Sequence, residues 1–318
     1  METETKKRLQ TEIETLKNIS EPCQCGTTRY SYSKAYKEGV SYVRGVMEDC
    51  GLKTREDGVG NLIGTLPGTE PGLSKILSGS HLDTVRCAGA FDGIAGVLCA
   101  IEAARMVKES GVPLRHTYEA LGMIGEEGTR FGKALLGSQF IAGIYGADEL
   151  DEFVGTEDGK TMRQAMNEYG LSGELDGVSR KDENVKAFLE IHGEQGPVLE
   201  QGQKEIGIVD TIVGLSWLVV KVTGQAGHSG TVPMNLRKDA GTGGGHGPGS
   251  GLDSDSPGDL TAAGDQLKGR RTGYAVRKKR QTGRELNENR KKNCSAGADL
   301  CGGSHHLFCL APGPEGRE

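Results

Sequence analysis

Lys75 to Glu127 reads KILSGSHLDTVRCAGAFDGIAGVLCAIEAARMVKESGVPLRHTYEALGMIGEE, and its hydrophobic spacing decides the fold. Lys75 to Ser78 and Thr117 to Ile124 are short apolar runs with Gly or Pro at their boundaries, as buried strands require. Between them Ile94, Val97, Leu98, Ile101 and Ala104 recur at i, i+3, i+4, i+7 and i+10, one face of a helix ending near Gly111. A strand, a helix and a strand of these lengths make a βαβ unit. The expected class is therefore α/β, with a mixed, mainly parallel sheet.

Working outward, Leu62 to Leu66 and Lys186 to Ile191 read as further strands, and Trp217 to Thr223 is another apolar, β-branched segment. Helices are expected from Lys6 to Asn18, with Leu9, Ile13 and Leu16 on one face, and from Ser33 to Cys50. Open α/β sheets gather their active sites at the carboxyl ends of the strands. Three strands here deliver polar groups to such an edge: His81 after the first, Glu126-Glu127 after the second, and His192-Gly193-Glu194-Gln195 after Lys186 to Ile191. Asp92-Gly93 falls at the start of the intervening helix.

Divalent cations such as Zn²⁺ or Mn²⁺ in hydrolases take imidazole and carboxylate ligands and leave a position for water. His81, Asp92, Glu127 and His192 supply that mixture, and Asp92 has an oxygen for each of two cations. Asp83 lies two residues from His81, where its carboxylate would accept the second imidazole N–H. Glu126, adjacent to a ligand, would take the proton of an activated water. Singly, an Asp-Gly is usually a turn, adjacent acids a solvated face, and a lone His such as His116 or His246 a surface residue. The weight rests on their joint arrival at one edge.

Composition narrows the function. Residues 1–240 carry 26 Lys+Arg against 35 Asp+Glu, whereas residues 241–318 carry 12 against 9, so the main body is acidic. Nucleic-acid binding needs a concentrated basic surface, which points instead to a small-molecule substrate. No apolar run is long enough to span a membrane, and the charged N-terminus lacks a signal peptide's apolar stretch, so a cytoplasmic location is expected. The eight Cys are irregularly spaced and suit reduced thiols, and a metal contact by Cys23 and Cys25 is the disfavoured reading.

GSHLDT (Gly79 to Thr84), FDG (Phe91 to Gly93), GEEGTRFG (Gly125 to Gly132), LGS (Leu136 to Ser138), EIHGEQGPVLE (Glu190 to Glu200) and GHSGTVPM (Gly227 to Met234) resemble the amidase, hydantoinase/carbamoylase family. Its members include N-carbamoyl-L-amino acid hydrolases, allantoate amidohydrolases and ureidoglycolate amidohydrolases, and its fold is related to the M20 metallopeptidases. The resemblance, over roughly residues 6–240, implies a binuclear metal-dependent hydrolase cleaving C–N bonds of ureido or N-carbamoyl compounds by a metal-activated water. His81, Asp92, Glu127 and His192 match metal ligands, Asp92 being the bridge, for two divalent ions, Zn or Mn. Glu126 matches the general base, Gln195 a substrate contact, and His228 a residue lent to the oxyanion by the smaller domain. The family forms homodimers.

The resemblance also implies an organisation. Residues 1–208 correspond to the first part of the catalytic domain and 209–240 to the beginning of an α+β dimerisation domain. From Gly241 the pattern stops: 17 of the last 78 residues are Gly, and the tail 241–318 is expected to be disordered. A frame shift from about codon 241 would produce this change and would remove a last His ligand and the substrate's carboxylate clamp. On that reading the chain as written is poorly soluble or inactive beside full-length relatives. Two alternatives stand beside the carbamoylase reading: an M20-type aminoacylase or metallopeptidase, and a non-catalytic protein with a basic binding tail around Arg277 to Arg280.

Overall fold

The computed structural model describes residues 2–212 and 223–238 and three short strands beyond them. The chain falls into two compact units, Met1–Thr211 with Asn293–Glu318, and Ile212–Lys292. The first is built on a mixed sheet of β1 (Lys53–Glu56), β2 (Leu62–Leu66), β3 (Lys75–His81), β4 (Tyr118–Met123), β5 (Val185–Gly193), β6 (Ile206–Ile208) and β9 (His306–Leu310). In the second, β7 (Leu267–Lys268) and β8 (Ala275–Val276) pair antiparallel. Among the described residues no helix is long and apolar enough to cross a membrane.

Strand order in the large sheet is β1-β2-β4-β3-β5-β9-β6. The pairings β4/β3, β3/β5 and β5/β9 are parallel and central, and those of β1/β2, β2/β4 and β9/β6 are antiparallel and flank them. The α/β class and mixed sheet agree with the periodicity. Within 241–318 the described residues are β7, β8 and β9, and the rest of that segment, with Arg277 to Arg280, lies outside the described residues. So does Trp217 to Val222 of the expected strand.

Helix α1 (Glu2–Asn18) buries Leu16 and packs Leu9 and Ile13 against the core, the three residues its spacing selects. Helix α2 (Lys34–Asp49) starts at Ser33, whose hydroxyl accepts the Tyr36 N–H and satisfies one of the first turn's free donors. Helix α3 (Ile94–Ser110) buries all five residues of the expected face. Four short helices follow: α4 (Leu136–Ile141), α5 (Glu149–Glu152), α6 (Met162–Tyr169) and α7 (Val198–Gln201).

Two strands run further than their apolar runs. β3 continues through Gly79-Ser80 to His81, and β5 continues through His192 to Gly193. Gly-Ser reads locally as a turn, yet a Cβ at Gly79 would lie 2.1 Å from the Leu121 carbonyl oxygen. The glycine is there for close approach to β4 rather than to end the strand.

Candidate metal centre

Parallel pairing of β3 with β4 sets His81 opposite Met123, so the chain leaving β4 turns over the edge at which His81 sits and brings Glu126 and Glu127 to it. β5 runs parallel on the other side of β3, with Ser78 opposite Leu189, and carries His192 to the same end. Asp92 is delivered by the connection into α3. Gly93, at φ 66°, caps that helix, and a Cβ on it would come within 2.5 Å of His81 Nδ1. Only glycine lets the helix start beside the imidazole.

The side chains converge. His81 Nε2 lies 3.8 Å from both Asp92 Oδ1 and Glu126 Oε2, and His192 Nε2 lies 3.2 Å from Asp92 Oδ1. His81, Asp92 and His192 form one group with the spacing of metal ligands, and His81, Glu126 and Glu127 form another. His81 Nδ1–H donates to the main-chain carbonyl of Asp83 at 2.9 Å, and His192 Nδ1–H to that of Gly193 at 2.8 Å. A carbonyl only accepts, so each neutral ring carries its proton on Nδ1 and turns the Nε2 lone pair into the site. Each ring thus offers the site one ligand atom. Asp92 Oδ1 faces both rings, 3.8 Å from His81 Nε2 and 3.2 Å from His192 Nε2.

One residue, Asp83, is used differently from the sequence expectation. The Asp83 carboxylate stands 3.8 Å from His81 and accepts instead the Glu126 and Glu127 N–H groups, at 3.0 and 3.2 Å. Two amides of a tight turn need an acceptor, and the buried carboxylate supplies both oxygens. Gln195 Nε2 donates to Asp92 Oδ2 at 3.0 Å, so its contact is with an acid of the cluster. His228 belongs to the second unit, where its Nδ1 accepts the Gly230 N–H at 3.1 Å.

Other residues in the frame gave no sequence signal. Asn61, fully buried, accepts the Ile124 N–H at 3.1 Å and donates to Asp57 at 2.8 Å. The main-chain N–H groups of Leu135, Leu136 and Gly137 bond the carbonyls of Glu126, Gly125 and Ile124. Arg29, also buried, donates Nε–H to the Leu82 carbonyl at 2.8 Å and Nη1–H to those of Leu16 and Ile19 at 2.9 Å. It ties the residue after His81 to the end of α1. Bonds from side chain to main chain have no period in the sequence; the one available hint was a charged or amide residue amid apolar neighbours.

The electrostatics fit a divalent cation. Burial pushes Glu127 up to about 7 against the pull of His81, with Asp92, Glu126 and Asp83 adding to the rise. Burial also raises Glu126, again opposed by His81. The hydrogen bond to Asp92 holds His192 up at about 9, and the same bond keeps Asp92 below the usual carboxylate range. For His81, burial pulls downward but is outweighed by Asp83, Glu126 and Asp92. Glu127 Oε1 is buried with no hydrogen-bond partner, an acceptor suited to a cation.

A pH dependence of metal uptake follows. Below about 7 Glu127 holds a proton and below about 9 His192 does, whereas ligation takes a carboxylate and a neutral ring. Raising the pH from 6 to 9 therefore strengthens binding, by about tenfold per pH unit for each proton displaced. Potentiometric titration in unbuffered solution checks this: metal addition at neutral pH acidifies the solution.

Fold and site together define an α/β protein with an imidazole–carboxylate centre suited to divalent metal. The chain belongs to the peptidase family M20/M25/M40, whose family model matches residues 77–296. It is 45% identical to the N-carbamoyl-L-amino-acid amidohydrolase of Paenarthrobacter aurescens over 234 residues, 73% of this chain and 56% of that one. It is 36% identical to the allantoate amidohydrolase of Bacillus subtilis (strain 168) over 228 residues, 71% of this chain and 55% of that one. The crystal structure of AtUAH in complex with glyoxylate superposes with a TM-score of 0.64 at 34% identity, covering 74% of this chain and 57% of its own. The chain spans about half the length of the curated relatives it matches.

Proposed function

We propose that the centre serves a metal-dependent hydrolase cleaving the C–N bond of ureido or N-carbamoyl compounds, of N-carbamoyl-L-amino acid or allantoate type. The observation that carries this reading is the convergence of His81, Asp92, Glu126, Glu127 and His192 at one sheet edge, with Glu126 taken as the base. His81, Asp92, Glu127 and His192 would hold two divalent cations, Zn or Mn, which would polarise the substrate carbonyl and acidify water.

The remaining steps fall to side chains. Glu126, raised by burial above the usual carboxylate range, takes the proton of the attacking water and gives it to the departing nitrogen. Gln195, whose amide donates to Asp92, would contact the substrate. His228 is the oxyanion donor. With Nδ1 accepting from Gly230, its neutral ring carries the proton on Nε2, the form that donates. The reading takes the protein to be a cytoplasmic homodimer acting on small molecules, with no nucleic-acid or membrane partner.

Ammonia release tests the substrate class. The chain, loaded with Mn²⁺ or Zn²⁺, is given N-carbamoyl amino acids, allantoate, ureidoglycolate, N-acyl amino acids and dipeptides in turn. The expected result is metal-dependent ammonia from the ureido compounds, at a rate below that of the longer relatives. Cleavage of acyl amino acids or dipeptides without ammonia contradicts it and supports an aminoacylase or peptidase.

A further inference from the structure

We propose that Ser80 and Glu190 form a clasp that sets the spacing of the two imidazoles, a role that rests on reading His81 and His192 as metal ligands. Glu190 is in this role a positioning residue, acting through the strand that carries His192. β3 and β5 pair in parallel from Lys75 opposite Val185 to Ser78 opposite Leu189, and there the pairing stops. From Gly79 to His81 the ladder partners of β3 lie on β4, and from Glu190 to Gly193 those of β5 lie on β9. His81 and His192 thus stand on neighbouring strands whose shared ladder ends before it reaches either of them. Their ring centres are 6.3 Å apart.

Across that opening the tie is a side-chain bond: Ser80 Oγ–H donates to Glu190 Oε1 at 2.6 Å. Ser80 is wholly buried, so its hydroxyl needs a partner inside the protein. The start of α3 covers it. A Cβ at Gly96 would lie 2.4 Å from the Ile191 carbonyl oxygen and 2.6 Å from Ser80 Cβ, so the helix backbone lies directly against both strands. Ser80 is the residue before His81, and Glu190 lies two residues before His192, on the same face of β5. One bond of fixed length therefore joins the two strands within two residues of each ring.

Of the two rings, it is His192 that needs this hold. Packing fixes the His81 ring, whose side chain is 2% exposed, whereas that of His192 is 23% exposed. The bond that His192 makes through Nδ1–H, to the carbonyl of Gly193, lies within β5 and travels with it. Its reach to Asp92, 3.2 Å between Nε2 and Oδ1, therefore depends on what holds the end of β5 against β3. β9 does not supply that hold, because it pairs with β5 from the far side. Without the bond from Ser80, Glu190 and the residues after it are free to swing away from β3, and the His192 ring loses its place against Asp92.

The test titrates the metal-free full chain with Mn²⁺ by calorimetry and follows amide hydrogen exchange of the same metal-free chain by mass spectrometry. Ser80→Ala is expected to lower affinity for the cation ligated by His192 by about 10–100-fold, the usual cost of losing a group that orients a ligand, and to leave the other cation held as before. Glu190→Ala should do the same, and the double variant should be no worse than either single one. Glu190→Gln, which keeps an acceptor oxygen, should bind as the parent does. In a His192→Ala chain Ser80→Ala should change nothing further, a result that general weakening of the fold would not give. Without metal, Ser80→Ala should speed exchange at residues 191–193 by about tenfold while β4 and α3 stay protected. Faster exchange throughout β4 and α3, a Ser80→Ala chain that binds both cations as the parent does, or a Glu190→Gln chain as weak as Glu190→Ala would each overturn the clasp. A parent that binds no cation overturns the metal reading instead, and the exchange comparison then decides the clasp by itself.

Discussion

Glu126→Gln is expected to lower metal-dependent ammonia release by about 10²–10⁴-fold, the usual contribution of a positioned acid–base group. Metal uptake should be unchanged. The substitution keeps shape and hydrogen-bonding length but removes the ability to accept the water's proton. The site's frame should survive it, because Glu126 is held through its main chain: its N–H bonds Asp83 and its carbonyl accepts from Leu135. The side chain is free of that duty, about a third exposed, and 3.8 Å from His81. Steady-state kinetics beside a metal titration of the same preparation checks the split. Loss of metal in step with loss of rate would make Glu126 a ligand rather than the base.

Arg29→Met should destabilise the first unit by about 3 kcal/mol or more, because it orphans acceptors that each cost about 1–3 kcal/mol when buried and unpaired. Those acceptors are the carbonyls of Ile19 and Leu82, whereas that of Leu16 keeps the Ile19 N–H. Burial brings the guanidinium down to about 10, opposed by Tyr36 and Asp83, so it remains charged at neutral pH. Leu82 directly follows His81, and its N–H is bonded to the Met123 carbonyl, so slack there reaches the ligand itself. Urea unfolding followed by far-ultraviolet circular dichroism measures the loss. A change under about 1 kcal/mol, within the range of ordinary surface substitutions, would mean that water replaces the guanidinium.

What was legible in the sequence was what repeats. The five-residue face of α3 and the apolar runs of β2, β3, β4 and β5 announced the βαβ unit and the edge where His81, Asp92, Glu126, Glu127 and His192 meet. Bonds from side chains to the main chain were not legible. Asp83, two residues from His81, reads as its carboxylate partner, yet its oxygens go to the amides of the turn after β4. Asn61 and Arg29 likewise satisfy main-chain groups of loops far along the chain. Such pairings depend on where a turn exposes an unpaired donor or acceptor, which only the folded chain decides.

On the proposed function, His81, Asp92, Glu127 and His192 bind divalent metal, with Asp92 shared. Calorimetric titration of the metal-free chain with Mn²⁺ or Zn²⁺, beside Asp92→Asn, tests it most directly. The expected result is two equivalents bound by the parent and affinity reduced by more than about 100-fold in the variant, since even groups that merely orient ligands are worth about 10–100-fold. A parent that binds no cation, or an Asp92→Asn chain that binds as the parent does, would contradict it.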